Sequence, residues 1–483
     1  LRFNHLDVGL VVLKTGGEPK GLSGACPTAW SRLPFESAWR PTRTAGPSAG
    51  RGLPAMSRLL YALLFYLAMP LVWLRLLWRA IRQAEYLQHL GERHGHYRQP
   101  SGRPLIWLHA VSVGETRAAE PLIEALLGDY AQHDLLLTHM TPTGRAAGLD
   151  LLKKHPGRII QAYLPYDLPH ACRRFLDVFQ PRVGLLMETE IWPNLMAAAR
   201  QRGVPIALVN ARLSLRSQRA YARVRSLIEP AIASFAVVAA QTEADGERLR
   251  ELAAREVVVC GNLKFDVTPA AERLELGARW RHAIGPRRIW LVASTREGEE
   301  ALILDALGAI ALADLLVVVV PRHPQRFDEV ARLLEQRRLS YRRRSSGVLP
   351  DPATYVWLGD SMGEMAAYYA LADIALIGGS LLPFGGQNLI EAAACGCPVL
   401  VGEHPFNFAQ ASQDAVASGA ARRVADARQA ALVVAQLFGE PGDAGQSLDA
   451  MRAAAMRFSA AHRGATARTL ALIRPLIEPR AAR

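Results

Sequence analysis

The stretch 105–121, LIWLHAVSVGETRAAEP, runs from an apolar segment through a short turn into a segment with helical spacing. Leu105 to Ala110 predicts a buried strand, because an unbroken apolar run of this length marks a strand covered on both faces. The turn is reached at Gly114, and Glu115 stands at its mouth. Ligands of α/β proteins lie at such strand-to-helix turns, so a carboxylate there is a candidate for chemistry. The plainer alternative is an acid that complements the dipole of the following helix.

The same grammar recurs along the chain. Apolar runs predict strands at Leu105–Ala110, Asp134–His139, Ile159–Leu164, Val183–Glu188, Pro205–Asn210, Phe235–Gln241 and Glu256–Gly261. A polar stretch, Val267–Arg288, then reads as a helix and linker. The pattern restarts at Ile289–Ala293, Leu315–Pro321, Thr354–Gly359, Ile374–Gly378, Pro398–Val401 and Ala421–Val424. Strands alternating with helical segments imply parallel sheets covered on both faces. The expected fold is therefore α/β, with two Rossmann-like, doubly wound domains facing a central cleft at the carboxyl ends of their strands. The domains are expected at 101–270 and 271–475.

Composition narrows the class of partner. The chain has 483 residues, 50% hydrophobic and 21% charged, which is enough for two or three domains with real cores. Its formal net charge is +13, which points to an anionic partner: nucleic acid, an anionic membrane or a phosphorylated substrate. The five cysteines, Cys26, Cys172, Cys260, Cys395 and Cys397, form no C-x-x-C pair and show no metal-type spacing. That argues against a structural zinc and for a reducing compartment.

The N-terminal region differs from the rest. Residues 1–55 are rich in Gly, Pro, Ser and Arg and read as an upstream extension or a disordered leader. Residues 56–100 then form an anchor and linker. From Leu59 to Leu74 the run is almost wholly apolar, a little short for a full span. Arg58 precedes it, and Arg75, Arg79 and Arg82 follow on one helical face. Two readings stand, a single spanning helix and a helix lying in the membrane interface. The trailing arginines favour a cytoplasmic body.

Chemistry-bearing residues cluster just after predicted strands. In the second half, LIGGSLLPFGGQNLIEAAACGCPVLVG (376–402) ends a strand at Gly378-Gly379 and starts a helix near Asn388. Glycines allow close backbone approach to a ligand, and a helix start favours phosphate. Glu391 lies one turn in, where a carboxylate suits a ribose diol. Pro321, Arg322 and His323 follow another strand, and arginine suits bidentate phosphate contact. The turn Ser361-Met362-Gly363-Glu364 presents backbone groups fit to read a nucleobase edge, or a plain helix cap. LVASTREGEEALI (291–303) repeats the pattern. In the first half, strands end on Glu188 and Glu190, on Asn210 and Arg212, and on Asn262 and Lys264.

These motifs, in order, carry a resemblance. SVGET (112–116), MTPTG (140–144), YLPYDLP (163–169), METEIWPN (187–194), NARLS (210–214), GNLKFD (261–266), PRHP (321–324), MGE (362–364), GGS (378–380) and NLIEAAA (388–394) make the chain from Met56 onward similar to the 3-deoxy-D-manno-octulosonic acid (Kdo) transferases, glycosyltransferase family 30. Gln387 and Arg296 stand where that family usually has histidine.

The resemblance implies a GT-B fold. It also implies an inverting transfer of Kdo from CMP-Kdo to the lipid A precursor lipid IV-A, in lipopolysaccharide core synthesis at the cytoplasmic face of the inner membrane. Glu115 would be the general base. Glu188 or Glu190 would have a stabilising role, and Lys264 would stand near the leaving phosphate. The donor would lie on Pro321, Arg322, Met362, Gly363, Glu364, Asn388, Leu389, Ile390 and Glu391, with no metal and no cofactor.

Two other readings compete. One is a different GT-B envelope glycosyltransferase using a UDP-sugar, which the glycine loop and Glu391 would suit almost as well. The other is a basic scaffold or nucleic-acid binder. Strand-end acids at Glu115, Glu188 and Glu190 would repel a phosphate backbone, and no RNA-binding aromatic platform or helix-turn-helix signature is present.

Overall fold

Fourteen strands, all in parallel pairings, form two sheets in the computed structural model, which describes residues 52–81, 83–98, 102–309, 312, 314–439 and 447–478. Most of the expected leader, with Cys26 and Arg82, lies outside the described residues. The chain divides into two compact units. One takes the described residues up to Thr116, then Tyr130–Val259 and those from Leu472; the other takes Arg117–Asp129 and Cys260–Ala471.

The first unit contains β1 (Leu105–His109), β2 (Asp134–His139), β3 (Ile159–Tyr163), β4 (Val183–Met187), β5 (Ile206–Ala211), β6 (Val237–Ala240) and β7 (Val257–Val259). Their order is β3-β2-β1-β4-β5-β6-β7. β1, β2, β4 and β5 are buried at every residue, as strands covered on both faces must be. Trp107 is fully buried beside Gly184, where a Cβ would stand 2.6 Å from the indole ring. Glycine at 184 is therefore what lets β4 lie beside a tryptophan on β1.

The second unit contains β8 (Arg288–Thr295), β9 (Leu315–Pro321), β10 (Tyr341–Arg343), β11 (Val356–Leu358), β12 (Ile374–Ile377), β13 (Val399–Val401) and β14 (Ala421–Arg423). Their order is β10-β11-β9-β8-β12-β13-β14. The sequence pattern anticipates every strand except β10, an edge strand built from Tyr341-Arg342-Arg343. It has no apolar run, and its arginines are held instead by Asp351, Asp328 and Asp360.

Strand order fixes where ligands go. In each sheet the winding reverses once, between β1 and β4 in the first and between β8 and β12 in the second. Connections leave such a pair of neighbouring strands in opposite directions, which opens a crevice at their carboxyl ends. The segments after β1 and β4 carry Glu115, Glu188 and Glu190; those after β8 and β12 carry residues 296–299 and the glycine loop from Gly378.

The N-terminal helix Gly52–Ala80 is docked lengthwise on the first unit. Phe65, Met69 and Val72 pack against its core, and Ala62 and Leu76 are buried. Ser57 donates to Ser226 O at 3.0 Å, the Tyr66 hydroxyl is 2.6 Å from His170 Nδ1, and Trp73 stacks on His94. From Ala62 to Leu76, spacings of three and four place these side chains on one helical face. The other face holds Leu59, Leu60, Leu63, Leu64, Leu67, Leu71, Leu74 and Trp78, each more than half exposed. Among the described residues this is the one helix long and apolar enough to cross a membrane.

Candidate active site

The helix after β1, Val113–Asp129, begins before Gly114, so Glu115 is the third residue of its first turn. Its carboxylate folds back over the turn. The backbone N–H of Val111 donates to Oε2 at 2.8 Å and the Ser112 hydroxyl to Oε1 at 3.0 Å. Val111 O in turn accepts from the Thr141 hydroxyl at 3.0 Å, and a Cβ on Gly144 would meet that oxygen at 2.8 Å. The MTPTG segment therefore buttresses the Glu115 turn, which explains why it needs both a hydroxyl and a glycine.

Charge in this crevice is arranged to make the carboxylates basic. Burial pushes the Glu115 carboxyl well above its usual range, and Glu188 and then Glu190 add to the shift; the Val111 and Ser112 hydrogen bonds oppose it. Burial also pushes Glu190 up to about 7, with Glu188 again adding to it. The buried imidazoles at the ends of β1 and β2 give no compensating charge. Burial holds His109 down to about 3 and His139 down to about 4, so both are neutral near pH 7. His139 Nδ1–H donates to Ala110 O at 2.9 Å.

The backbone here is strained where the sequence gives no warning. Glu188 (φ 57°) and Asn210 (φ 51°) follow or end β4 and β5 in the left-handed region. Such a conformation costs a non-glycine residue about 1–3 kcal/mol and collects at functional sites. Behind Glu188 and Glu190, fully buried Asp167 accepts the N–H groups of Asn194 at 3.0 Å and Leu195 at 2.8 Å, fixing the start of the helix Pro193–Gln201. Asp167 lies in the YLPYDLP motif, but the sequence alone does not give it this role.

In the second unit Arg322 is half-buried directly after β9, and its N–H donates to Thr295 O at 3.0 Å. Burial lowers its affinity for the proton, though a guanidinium stays charged. Pro321 is the last residue of β9. Met362 and Gly363 (φ 76°) form an exposed turn. The Glu364 carboxylate is already engaged, accepting from Arg344 at 3.0 Å and the Ser361 hydroxyl at 2.6 Å, so it braces that turn.

Asn388 caps the helix Leu389–Ala394, its Oδ1 accepting from Ile390 N–H at 3.1 Å. Leu389 and Ile390 are core side chains, leaving only their backbone for a ligand. Glu391 is half-buried, its carboxyl pushed up by burial and drawn down by guanidinium charge that includes Arg322. Lys264 lies in the turn Leu263–Asp266, with Nζ 5.3 Å from the Phe408 ring centroid.

The glycine loop differs from the sequence expectation. Gly378 is required because a Cβ there would sit 2.4 Å from Ser294 O. The N–H groups of Gly379, Leu381 and Leu382 all donate to the buried carboxylate of Glu299, and those of Gly386 and Gln387 close the loop onto Gly379 O and Gly378 O. These N–H groups are held by the protein itself. The glycines serve close packing at the reversal point more than open approach to a ligand.

Two parallel sheets, each reversing its winding once, with acids after β1 and β4 in one unit and arginine after β9 in the other, give the chain a GT-B-like fold. The glycosyltransferase from Rickettsia africae ESF-5 shares this fold, with a TM-score of 0.54 at 13% identity, over 78% of this chain and 100% of that one. Residues 88–267 match the family model for 3-deoxy-D-manno-octulosonic-acid transferase. The chain is 47% identical to the 3-deoxy-D-manno-octulosonic acid transferase of Bordetella pertussis, over 86% of this chain and 98% of that protein. It is 37% identical to that of Haemophilus influenzae, over 73% of this chain and 84% of that protein. The chain belongs to the Kdo transferase family.

Proposed function

We propose that the protein transfers Kdo from CMP-Kdo to lipid IV-A in lipopolysaccharide core synthesis, at the cytoplasmic face of the inner membrane, by a single inverting displacement. The observation that carries the mechanism is the Glu115 carboxylate, pinned by Val111 and Ser112 at the β1/β4 reversal and made basic by its surroundings.

A sugar hydroxyl is a weak nucleophile, and a carboxylate with raised proton affinity takes its proton as the oxygen attacks. The new bond joins the acceptor oxygen to the anomeric carbon of Kdo. The bond from that carbon to the CMP phosphate oxygen breaks, and its electrons leave with CMP. The proton ends on Glu115. Arg322 and Lys264 meet the growing negative charge on the phosphate. Glu188 and Glu190 hold the crevice negative, which keeps Glu115 a strong base and stabilises positive charge building on the sugar ring. On the donor side the Met362-Gly363 turn faces the base of the nucleotide, and Asn388 and Glu391 lie by the ribose and phosphate, with Leu389 and Ile390 contributing backbone only.

The N-terminal helix fits an in-plane attachment. A helix that spans the bilayer cannot keep one face on a soluble core from Ser57 to Leu76, whereas a helix lying in the interface can. Its exposed leucines enter the lipid, and Arg58, Arg75 and Arg79 meet anionic headgroups.

Nucleotide choice tests the donor assignment against the UDP-sugar reading. CMP titrated calorimetrically into the full chain is expected to bind at least about tenfold more tightly than UDP, a gap of about 1.4 kcal/mol. Equal or tighter binding of UDP would transfer the assignment to the UDP-sugar alternative.

A further inference from the structure

We infer that Glu299 is a positioning residue that sets the shape of the nucleotide side of the site; the inference rests on the CMP-Kdo reading above. Glu299 is fully buried, yet no cation partners it among the described residues. Its carboxylate is satisfied by backbone alone: Gly379 N–H at 2.6 Å and Arg296 N–H at 2.9 Å on Oε2, and Leu381 N–H at 3.1 Å and Leu382 N–H at 3.4 Å on Oε1. A buried charge is tolerated when several donors converge on it, and their convergence then fixes the geometry of the segments that supply them.

Those segments meet at the reversal of the second sheet. Glu299 follows β8, and three of its four donors belong to the loop after β12. The end of β9 joins through Arg322 N–H on Thr295 O at 3.0 Å. Ser380 ties the same loop from its other side, accepting from Gly402 N–H at 2.9 Å, while Ser380 O accepts from His404 N–H at 2.9 Å. One carboxylate therefore ties the turn after β8, against which the β9 end carrying Arg322 is bonded, to the loop that leads to Asn388 and Glu391. Nothing in the arrangement lets Glu299 touch a ligand, so it acts through the loop.

Its neighbour Glu300 supplies the control. Glu300 is equally buried but accepts from the Thr295 hydroxyl at 2.6 Å and Arg326 at 2.7 Å, with no bond to the loop. Glu299→Gln turns one acceptor oxygen into an amide that faces N–H donors, which displaces the loop; Glu300→Gln leaves the loop bonds in place. Both variants are expected to lower Tm by similar amounts. Only Glu299→Gln is expected to raise the Kd for CMP and the KM for CMP-Kdo, by about tenfold or more, since displacements on the order of 1 Å have effects of that size or larger. The KM for the acceptor stays as in the wild type.

Ser380→Ala loosens the same loop and is expected to shift the donor KM in the same direction, which keeps the test decisive if Glu299→Gln does not fold. Equal donor KM values across the three variants and the wild type, or shifts that simply follow Tm, would overturn the inference. Failure of the wild-type chain to bind CMP at all would instead overturn the donor reading on which it rests.

Discussion

Glu115→Gln is expected to slow transfer by about 10²–10⁴-fold, the usual contribution of a general base, with CMP affinity within twofold of wild type. The substitution is nearly isosteric. The amide oxygen still accepts from Val111 N–H, and the Ser112 hydroxyl can rotate to accept from the amide nitrogen, so the turn survives. What is lost is the site that receives the proton. Turnover unchanged from wild type would remove Glu115 from the chemistry. Parallel loss of CMP binding would make it a binding residue.

The N-terminal helix gives the second large effect. Replacing Leu63, Leu67 and Leu71 with serine removes three exposed side chains, each contributing about 1 kcal/mol or more when buried in lipid. Partition onto vesicles containing anionic phospholipid is then expected to fall on the order of 10²-fold, with Tm unchanged because these side chains face away from the core. Alkaline carbonate is expected to release the wild-type chain from such vesicles. A chain that resists carbonate, or a triple variant that partitions like wild type, would favour a spanning helix or a different attachment.

The sequence made the strand grammar legible because parallel strands covered on both faces must be apolar throughout, as β1 and β9 are. It missed β10 because an edge strand stabilised by arginine–aspartate pairs carries no such signal. The strand-end acids Glu115, Glu188 and Glu190 were visible as residues out of place, and the structure brings them into one crevice. Their electrostatic coupling depends on burial and separation in space, which one chain read linearly does not contain. The positive φ of Glu188, Asn210 and Ser294 was equally hidden, since none is a glycine.

Asp167 and Glu299 were the largest omissions. In sequence each is one more acid near a helix start; in the fold each is a buried carboxylate that gathers backbone N–H groups from a distant segment. In the 378–386 loop Gly378 closely approaches the end of β8, whereas Gly385 and Gly386 approach Asn407 and Pro405. In the N-terminal helix the run from Leu59 to Leu74 read as almost wholly apolar, with arginines after it on one helical face. Its docked face emerged only because Phe65, Met69 and Val72 meet a core made by the rest of the unit.

Kdo transfer is tested most directly by an assay on purified protein beginning at Met56, with lipid IV-A as acceptor and CMP-Kdo generated in place, read by mass spectrometry. The wild type is expected to form a product heavier by one or more Kdo units, and Glu115→Gln far less of it. Absence of any Kdo-bearing product from the wild type, while a known Kdo transferase works in the same mixture, would contradict the proposed function.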